Sequence, residues 1–423
     1  MNLHISFYIC VALLFPFRSA QNGDDNTLFK HSCDVDKLAE KRRLINGIFK
    51  PSKRGFLGNG SFAFTYEGIL LPINKTIAMK FTKTEKKTLS AAEYEMYTYL
   101  HAINSSEVER FGIPAVYYYG EWIGHDLIMM GLTLLDREVY SLEEFLQSEV
   151  NVLIVLRDFI LTSKYVHSCN IRHDDVKLGN MMISKSKTFL IDFNVSRKLN
   201  VKSSSGTRPF KSRRAYKNGH RYPKDDWESF LYSMCTHLNV KFHWVGIKDS
   251  KKILPLIEDT TQTIERIKTI RSEILRNIFV SLAVHIFNDG GEFESYCIGY
   301  SGNNSFYHSN VNVEDRFPDY DFYYKFVNDK IREFNLTEPV MFSWLDKSAR
   351  DDAIDDLIEH PIPDITKIKK PTNQNYISFN YPAIDEEYFT RTYKDWKPRV
   401  PKKMTSSSSK SAGNSSGKKA RVD

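Results

Sequence analysis

Cysteine is scarce in this chain. Its 423 residues hold five, Cys10, Cys33, Cys169, Cys235 and Cys297, with no pair at metal-ligand spacing. That excludes a disulfide framework and a cysteine-built zinc site, and leaves buried thiols as the expectation. Long apolar runs are missing too. Residues 5–17 are too few to span a bilayer, and 274–287 are interrupted by Arg276, Asn277, Ser281 and His285, so no transmembrane span is expected. The body of the chain also lacks a basic excess. The net charge of +7 is matched by the last stretch alone, where Lys397, Arg399, Lys402, Lys403, Lys410, Lys418, Lys419 and Arg421 face only Asp423. No nucleic-acid partner is expected from that balance, and the tail suits acidic partners. With 41% hydrophobic and 26% charged residues, the remainder has the composition of a folded protein.

What the chain has is chemistry concentrated in residues 165–197. The centre reads His173-Asp174-Asp175-Val176-Lys177-Leu178-Gly179-Asn180, and the apolar run Thr188-Phe189-Leu190-Ile191 leads from it to Asp192-Phe193-Asn194. Asp175 is a carboxylate able to accept a hydroxyl proton, with the cation Lys177 beside it. Asn180 and Asp192 offer an amide and a carboxylate, oxygen ligands of the kind a hard cation such as Mg2+ requires. The spacing D-x-K-x-x-N followed by D-F-x is that of a protein-kinase catalytic loop and its metal-binding motif.

Upstream residues supply a nucleotide half. Leu57-Gly58-Asn59-Gly60-Ser61-Phe62-Ala63-Phe64-Thr65 has glycines where a hairpin must bring its backbone N–H groups close to the β- and γ-phosphates of ATP. A plain turn is the competing reading of that hairpin by itself. Residues 76–81 read as a buried strand holding one lysine, Lys80, between Met79 and Phe81. Such a lysine needs a charged partner, unless the strand lies at an edge and the ammonium reaches water. The helical segment 90–100 offers Glu93 and Glu95 on different faces. Glu93 is the better partner, because Tyr97 falls one turn later on its face and packs inward. Residues 116–119 and 127–130 read as strands, with Gly131-Leu132-Thr133 as a hinge whose backbone meets adenine. Residues 141–146 read as a capped helix start, 151–168 as a helix delivering the chain to the catalytic loop, and 34–43 as a short helix.

Asp175, Lys177, Asn180, Asp192, Lys80 and the glycine hairpin together resemble a eukaryotic protein kinase. Gly58-x-Gly60-Ser61-Phe62, Gly112-Ile113-Pro114, Ser141-Leu142-Glu143-Glu144 and Tyr165-Val166-His167-Ser168 are similar to the casein kinase 1 branch. So are Gly206-Thr207-Arg208, Asp225-Asp226-Trp227-Glu228-Ser229, Trp244-x-Gly246, Pro318-Asp319-Tyr320 and Val340-Met341-Phe342-Ser343-Trp344. The resemblance covers residues 45–346 and implies an α+β bilobal fold, with a small β-rich N-lobe, a larger helical C-lobe, and ATP with Mg2+ between them. It implies serine/threonine transfer to protein substrates that are acidic or already phosphorylated. In that scheme Asp175 and Lys177 are catalytic, while Asn180 and Asp192 hold the metal. Leu57, Gly58, Asn59, Gly60, Ser61, Phe62, Ala63, Thr65, Lys80, Glu93, Gly131 and Leu132 meet the nucleotide. Asp226 braces the catalytic loop, against the alternative of an exposed acidic pair with Asp225. Lys211, Arg213 and Arg214 are candidates for binding a substrate's anion, against the alternative of a solvated basic loop. A monomer is expected.

The departures from the family pattern define a competing reading. Asp174 stands where an arginine is usual, which removes a cation, adds an anion beside the base, and argues against control by a phosphorylated activation loop pairing there. Asn194 replaces the glycine of the metal motif, Ala63 a glycine of the hairpin, and Leu178 and Gly179 a proline and an aspartate. Asparagine tolerates left-handed backbone angles, so the turn at 194 can survive. These changes would suit a pseudokinase, a binding scaffold without turnover. The full charged set opposes it, since folding alone does not require Lys80, Glu93, Asp175, Asn180 and Asp192 together.

Outside that domain, residues 1–20 are a signal-like apolar segment and 21–44 an N-terminal extension. Residues 347–400 form a C-terminal extension, and 401–423 a basic Ser/Lys-rich tail expected to be disordered. Residues 285–316 carry no assigned role. A secreted product would expose the glycan acceptors Asn59-Gly60-Ser61 and Asn194-Val195-Ser196, where a glycan would block the nucleotide cleft. A cytoplasmic or nuclear location is expected for that reason, with secretion as the alternative if the leading segment acts as a signal.

Overall fold

The computed structural model describes residues 25–60, 63–103, 108–139, 148–184, 187–287 and 318–334. The signal-like segment, Ser61, Phe62, the capped start at 141–146, residues 288–316, the 340–344 motif and both C-terminal segments lie outside the described residues.

The small lobe is a five-stranded antiparallel sheet. Its strands are β1 (Phe49–Asn59), β2 (Ala63–Leu70), β3 (Lys75–Lys83), β4 (Val116–Trp122) and β5 (Leu127–Thr133), in the order β1-β2-β3-β5-β4. Strand β3 sets its two faces. Ile77, Met79 and Phe81 are fully buried on one side, which leaves Ala78 and Lys80 on the other. Because β3 lies between β2 and β5, the edge-strand reading of Lys80 is excluded. Helix α1 (Asp25–Glu40) covers β1 and starts well before the expected 34–43. Val35 and Ala39, one turn apart, bury against the sheet, while Arg42 in the left-handed region stops the helix short. Helix α2 (Lys87–Ile103) carries Glu93 and Tyr97 on its buried face, with Glu95 exposed.

The larger lobe is helical and is built around α3 (Glu149–Ser168). Residues 150–163 are all buried, the pattern of a helix enclosed on every side. Arg157, Asp158 and Ser163 within it are hydrogen-bonded. Asp158 pairs with Arg157 at 2.7 Å and accepts the Thr188 N–H at 2.8 Å, while Ser163 accepts from the Trp227 indole at 2.9 Å. Around α3 pack α5 (Pro223–His237), α8 (Glu273–Phe287) and α9 (Tyr320–Glu333). Among the described residues, α4 (Arg213–Tyr216), α6 (Ser250–Glu258) and α7 (Thr260–Ile267) are further, shorter helices of this lobe. Short strands hold the catalytic loop: β6 (Arg137–Glu138) pairs with β8 (Met181–Ser184), β8 with β9 (Lys187–Leu190), and β7 (Ile171–Arg172) with β10 (Arg197–Lys198). The turn leading into β4 needs Gly112, at φ +73°, because a Cβ there would lie 2.5 Å from the Thr188 carbonyl oxygen. One apolar core runs from Tyr97 and Leu100 through α3 to Val327 and Ile331. The architecture is therefore α+β, a β-rich lobe followed by a helical one, as the resemblance implies.

Candidate active site

Lysine 80 joins the lobes. Its ammonium lies 2.7 Å from Glu93 Oε2 and 3.1 Å from Asp192 Oδ1. The first contact follows from helical spacing, because Glu93 and Tyr97 turn inward together. Tyr97 in turn accepts the Asp192 N–H at 3.2 Å and packs edge-on against Phe193. Burial alone would lower the Lys80 pKa, but the two carboxylates outweigh it and hold the ammonium above its ordinary range. With one cation serving two acids, their environments split them. Burial pushes Glu93 up to about 7 against the pull of Lys80. Asp192 resists burial and is held low by Lys80, with smaller help from His173 and Lys177.

Strand pairing places the hairpin opposite this lysine. Gly58 pairs with Thr65, Thr65 with Lys80, and Lys80 with Met130, so these residues form one row across four strands and share a face. Ala63 pairs with Thr82 two residues nearer the turn, which Gly60 closes by donating to the Ala63 carbonyl at 2.7 Å. Leu57 and Asn59 lie at the end of β1, with Leu57 exposed. Met130 had no sequence signal beyond its place in an apolar run, yet it sits directly across from Lys80.

The hinge is displaced from its expected place. Strand β5 continues through Thr133, and Gly131 and Leu132 pair with Met79 and Ala78 on one side and with Tyr118 and Val116 on the other. In an interior strand the backbone groups point into ladders, so these two cannot present free amides to a base. Leu132 instead turns its side chain to the face of Lys80, and the chain leaves the ladder only after Thr133.

On the opposite wall, four donors converge on Asp175. Thr207 gives it the backbone N–H at 2.6 Å and the hydroxyl at 2.7 Å, Lys177 the ammonium at 2.9 Å, and Asn180 the amide at 3.2 Å. Lys177 also reaches the Thr207 hydroxyl at 2.7 Å. Sequence reasoning gave Thr207 no role, although it lies in the quoted Gly206-Thr207-Arg208. The Ile191 N–H bonds the Asn180 carbonyl at 2.9 Å and so sets Asp192 beside Asn180. Asn194 donates to Asp192 Oδ1 at 2.8 Å, the same oxygen that Lys80 uses. Asp192 Oδ2 and Asn180 Oδ1 remain as oxygen ligands, a donor set that fits Mg2+ completed by water and phosphate.

Aspartate 226, in the first turn of α5, is buried and braces the loop from below. It accepts the N–H groups of His173 at 2.7 Å and Asp174 at 3.0 Å, and bonds His167 Nε2 at 3.0 Å. Asp225 is buried as well, which excludes the exposed acidic pair. In the basic loop, Arg213 pairs with Glu228 at 3.2 Å, Arg214 lies 3.6 Å from Asp225, and Lys211 donates to the Ser204 carbonyl at 2.6 Å. All three basic side chains are therefore engaged within the protein.

A lysine shared by two carboxylates across a lobe boundary, facing a braced carboxylate–lysine–amide loop, defines the protein-kinase class of phosphotransferase. Comparison with known sequences agrees. The profile described as "Protein kinase domain" matches residues 52–283, more than half of the chain, and the chain belongs to that family. It is casein kinase 1-like within it. The chain is 23% identical over 315 residues to "Probable casein kinase I homolog" of Encephalitozoon cuniculi, covering 70% of this chain and 93% of that protein. It is 28% identical over 213 residues to "Casein kinase I homolog 3" of Schizosaccharomyces pombe, covering 45% of this chain and 47% of that protein. Among the described residues no helix is long and apolar enough to cross a membrane.

Proposed function

We propose that this protein kinase moves the γ-phosphoryl of ATP to serine or threonine hydroxyls of other proteins. The observation that carries the reading is the convergence of Lys80, Glu93 and Asp192 opposite Asp175, Lys177 and Thr207. Phosphoryl transfer depends on positioning and charge neutralisation more than on covalent help. Lys80, fixed by Glu93, holds the α- and β-phosphates under the hairpin. Asp175 orients the incoming hydroxyl and takes its proton, and Lys177 offsets charge on the moving phosphoryl. Asn180 and Asp192 would hold Mg2+, which would supply charge neutralisation when bound. The names of both relatives support serine/threonine transfer. Exposed Lys202 and Arg208 on the activation segment support acidic substrates, a preference that Arg213 and Arg214, already paired, do not have to provide. The reading also favours cytoplasm or nucleus, since a glycan on Asn194 would break its bond to Asp192; mass spectrometry of the mature N-terminus tests that placement.

The test of activity is phosphoryl transfer from labelled ATP to acidic peptides carrying serine or tyrosine, for the native chain and for Asp175→Asn. Transfer to the serine peptide, lost by at least a hundredfold in the variant, is the expected result. Equal and negligible signals from the two proteins would favour the scaffold reading instead.

A further inference from the structure

Asp174, the residue that departs most from the family pattern, is fully buried between two fully buried arginines. Arg172 grips it bidentately, Nε to Oδ1 at 2.5 Å and Nη2 to Oδ2 at 3.2 Å. Arg221 approaches from the far end of the activation segment, its Nη1 3.1 Å from Oδ1. Both arginines also tie down that segment's backbone. Arg172 donates to the carbonyls of Arg221 at 2.6 Å and Val201 at 2.9 Å, and Arg221 Nη1 donates to the Ser205 carbonyl at 3.2 Å.

These contacts close a circuit on the base. Arg221 holds Ser205, and Gly206 follows at φ +116° against the Asp174 carbonyl oxygen, so close that a Cβ would stand 2.9 Å from it. The next residue, Thr207, gives both its donors to Asp175. A buried carboxylate without its cation is severely destabilised, so each member of the trio holds the others in place. The anion expected to disturb the base is instead neutralised and turned away from it.

We propose that Asp174, clasped by Arg172 and Arg221, is a positioning residue that docks the activation segment onto the catalytic loop, keeping Thr207 on Asp175 without an acquired phosphate. The carboxylate, paired with two arginines, does at this position what an arginine bound to a phosphorylated segment would do. The inference rests on the phosphoryl-transfer reading for its kinetic consequence, but not for its structural one.

The test uses the full chain. Arg221→Gln cuts the segment's link and leaves the Arg172–Asp174 pair, and Arg221→Lys restores the charge. Backbone amide exchange is read by mass spectrometry, ATP affinity by calorimetry, and kcat on a serine peptide with and without prior phosphatase treatment. For Arg221→Gln the expected result is exchange about tenfold faster in residues 199–210 with the small-lobe sheet unchanged. Its kcat should be lower by about tenfold or more, its ATP affinity should stay within about twofold, and Arg221→Lys should recover part of the loss. Phosphatase should leave native kcat unchanged. Unaltered exchange in 199–210 overturns the clasp, as does a fall in ATP affinity equal to that in kcat, or loss of native activity to phosphatase. If the native chain shows no transfer at all, the phosphoryl-transfer reading fails, and the exchange result alone decides the clasp.

Discussion

Replacing Asp226 by asparagine exchanges one carboxylate oxygen for an N–H2 and should destabilise the fold more than most substitutions on the surface. The carboxylate is buried and receives two backbone N–H groups and the His167 ring. Hydrogen bonds to a charged acceptor contribute ~1.5–3 kcal/mol each, and a buried donor left without a partner costs ~1–3 kcal/mol. Asparagine keeps one acceptor oxygen but turns an N–H2 toward a donor, so one bond weakens and at least one is lost outright. The expected loss is about 3–5 kcal/mol, a large part of the ~5–15 kcal/mol that a domain commonly has. In urea titrations at pH 7, with an m value of ~3 kcal/mol/M, the midpoint should drop by about 1–1.7 M.

The pH dependence checks the cause of that loss. Burial would raise the Asp226 pKa, yet the hydrogen bond and charge of His167, followed by Arg221, hold it well below the ordinary 3.8. A depressed folded-state value stabilises the protein above the ordinary pKa, and that stabilisation is lost as pH falls through the folded value. The gap between native and variant should therefore be full at pH 7 and begin to close near pH 4. A loss under about 1 kcal/mol, or a gap that widens on acidification, would refute the assignment of Asp226 as a charged brace.

Three further outcomes are expected. Glu93, raised to about 7, has its favourable protonated contribution to stability below the ordinary 4.5 and loses it as pH rises through 7, while the ion pair with Lys80 forms over that same interval; ATP affinity by calorimetry should rise across this range, and Glu93→Gln should flatten the profile. Asn194→Gly removes the amide on Asp192 Oδ1, and the Mg2+ concentration for half-maximal nucleotide binding should increase about fivefold, with affinity for metal-free ATP unchanged. Thr207→Val deletes the hydroxyl shared by Asp175 and Lys177 but keeps the N–H, so kcat should fall about tenfold at constant ATP affinity in steady-state assays.

Residues whose partner is fixed by local periodicity were legible from the residues themselves, whereas Asp226 and Asp192, whose partners lie across the fold, were legible only through the family resemblance. Lys80 announced itself because a cation in a strand that buries Ile77, Met79 and Phe81 must find an anion, and helical spacing alone chose Glu93 over Glu95. The D-x-K-x-x-N run compressed Asp175, Lys177 and Asn180 into a single loop, so their proximity needed no tertiary information. The hinge was misplaced because nothing in Gly131-Leu132-Thr133 says how far the β3 and β4 ladders extend; that depends on strands elsewhere in the chain. Arg213 and Arg214 resembled a solvent-facing anion site until α5 brought Glu228 and Asp225 beneath them. Asp174 is the sharpest instance. Judged by its neighbours in sequence it puts a second negative charge beside the base, and only the return of the activation segment, which carries Arg221 to within 3.1 Å, converts it into a neutralised anchor. A substitution that breaks a motif therefore cannot be taken as loss of function until the residues that answer it have been located, and here the one at position 221 lies beyond the reach of any local pattern.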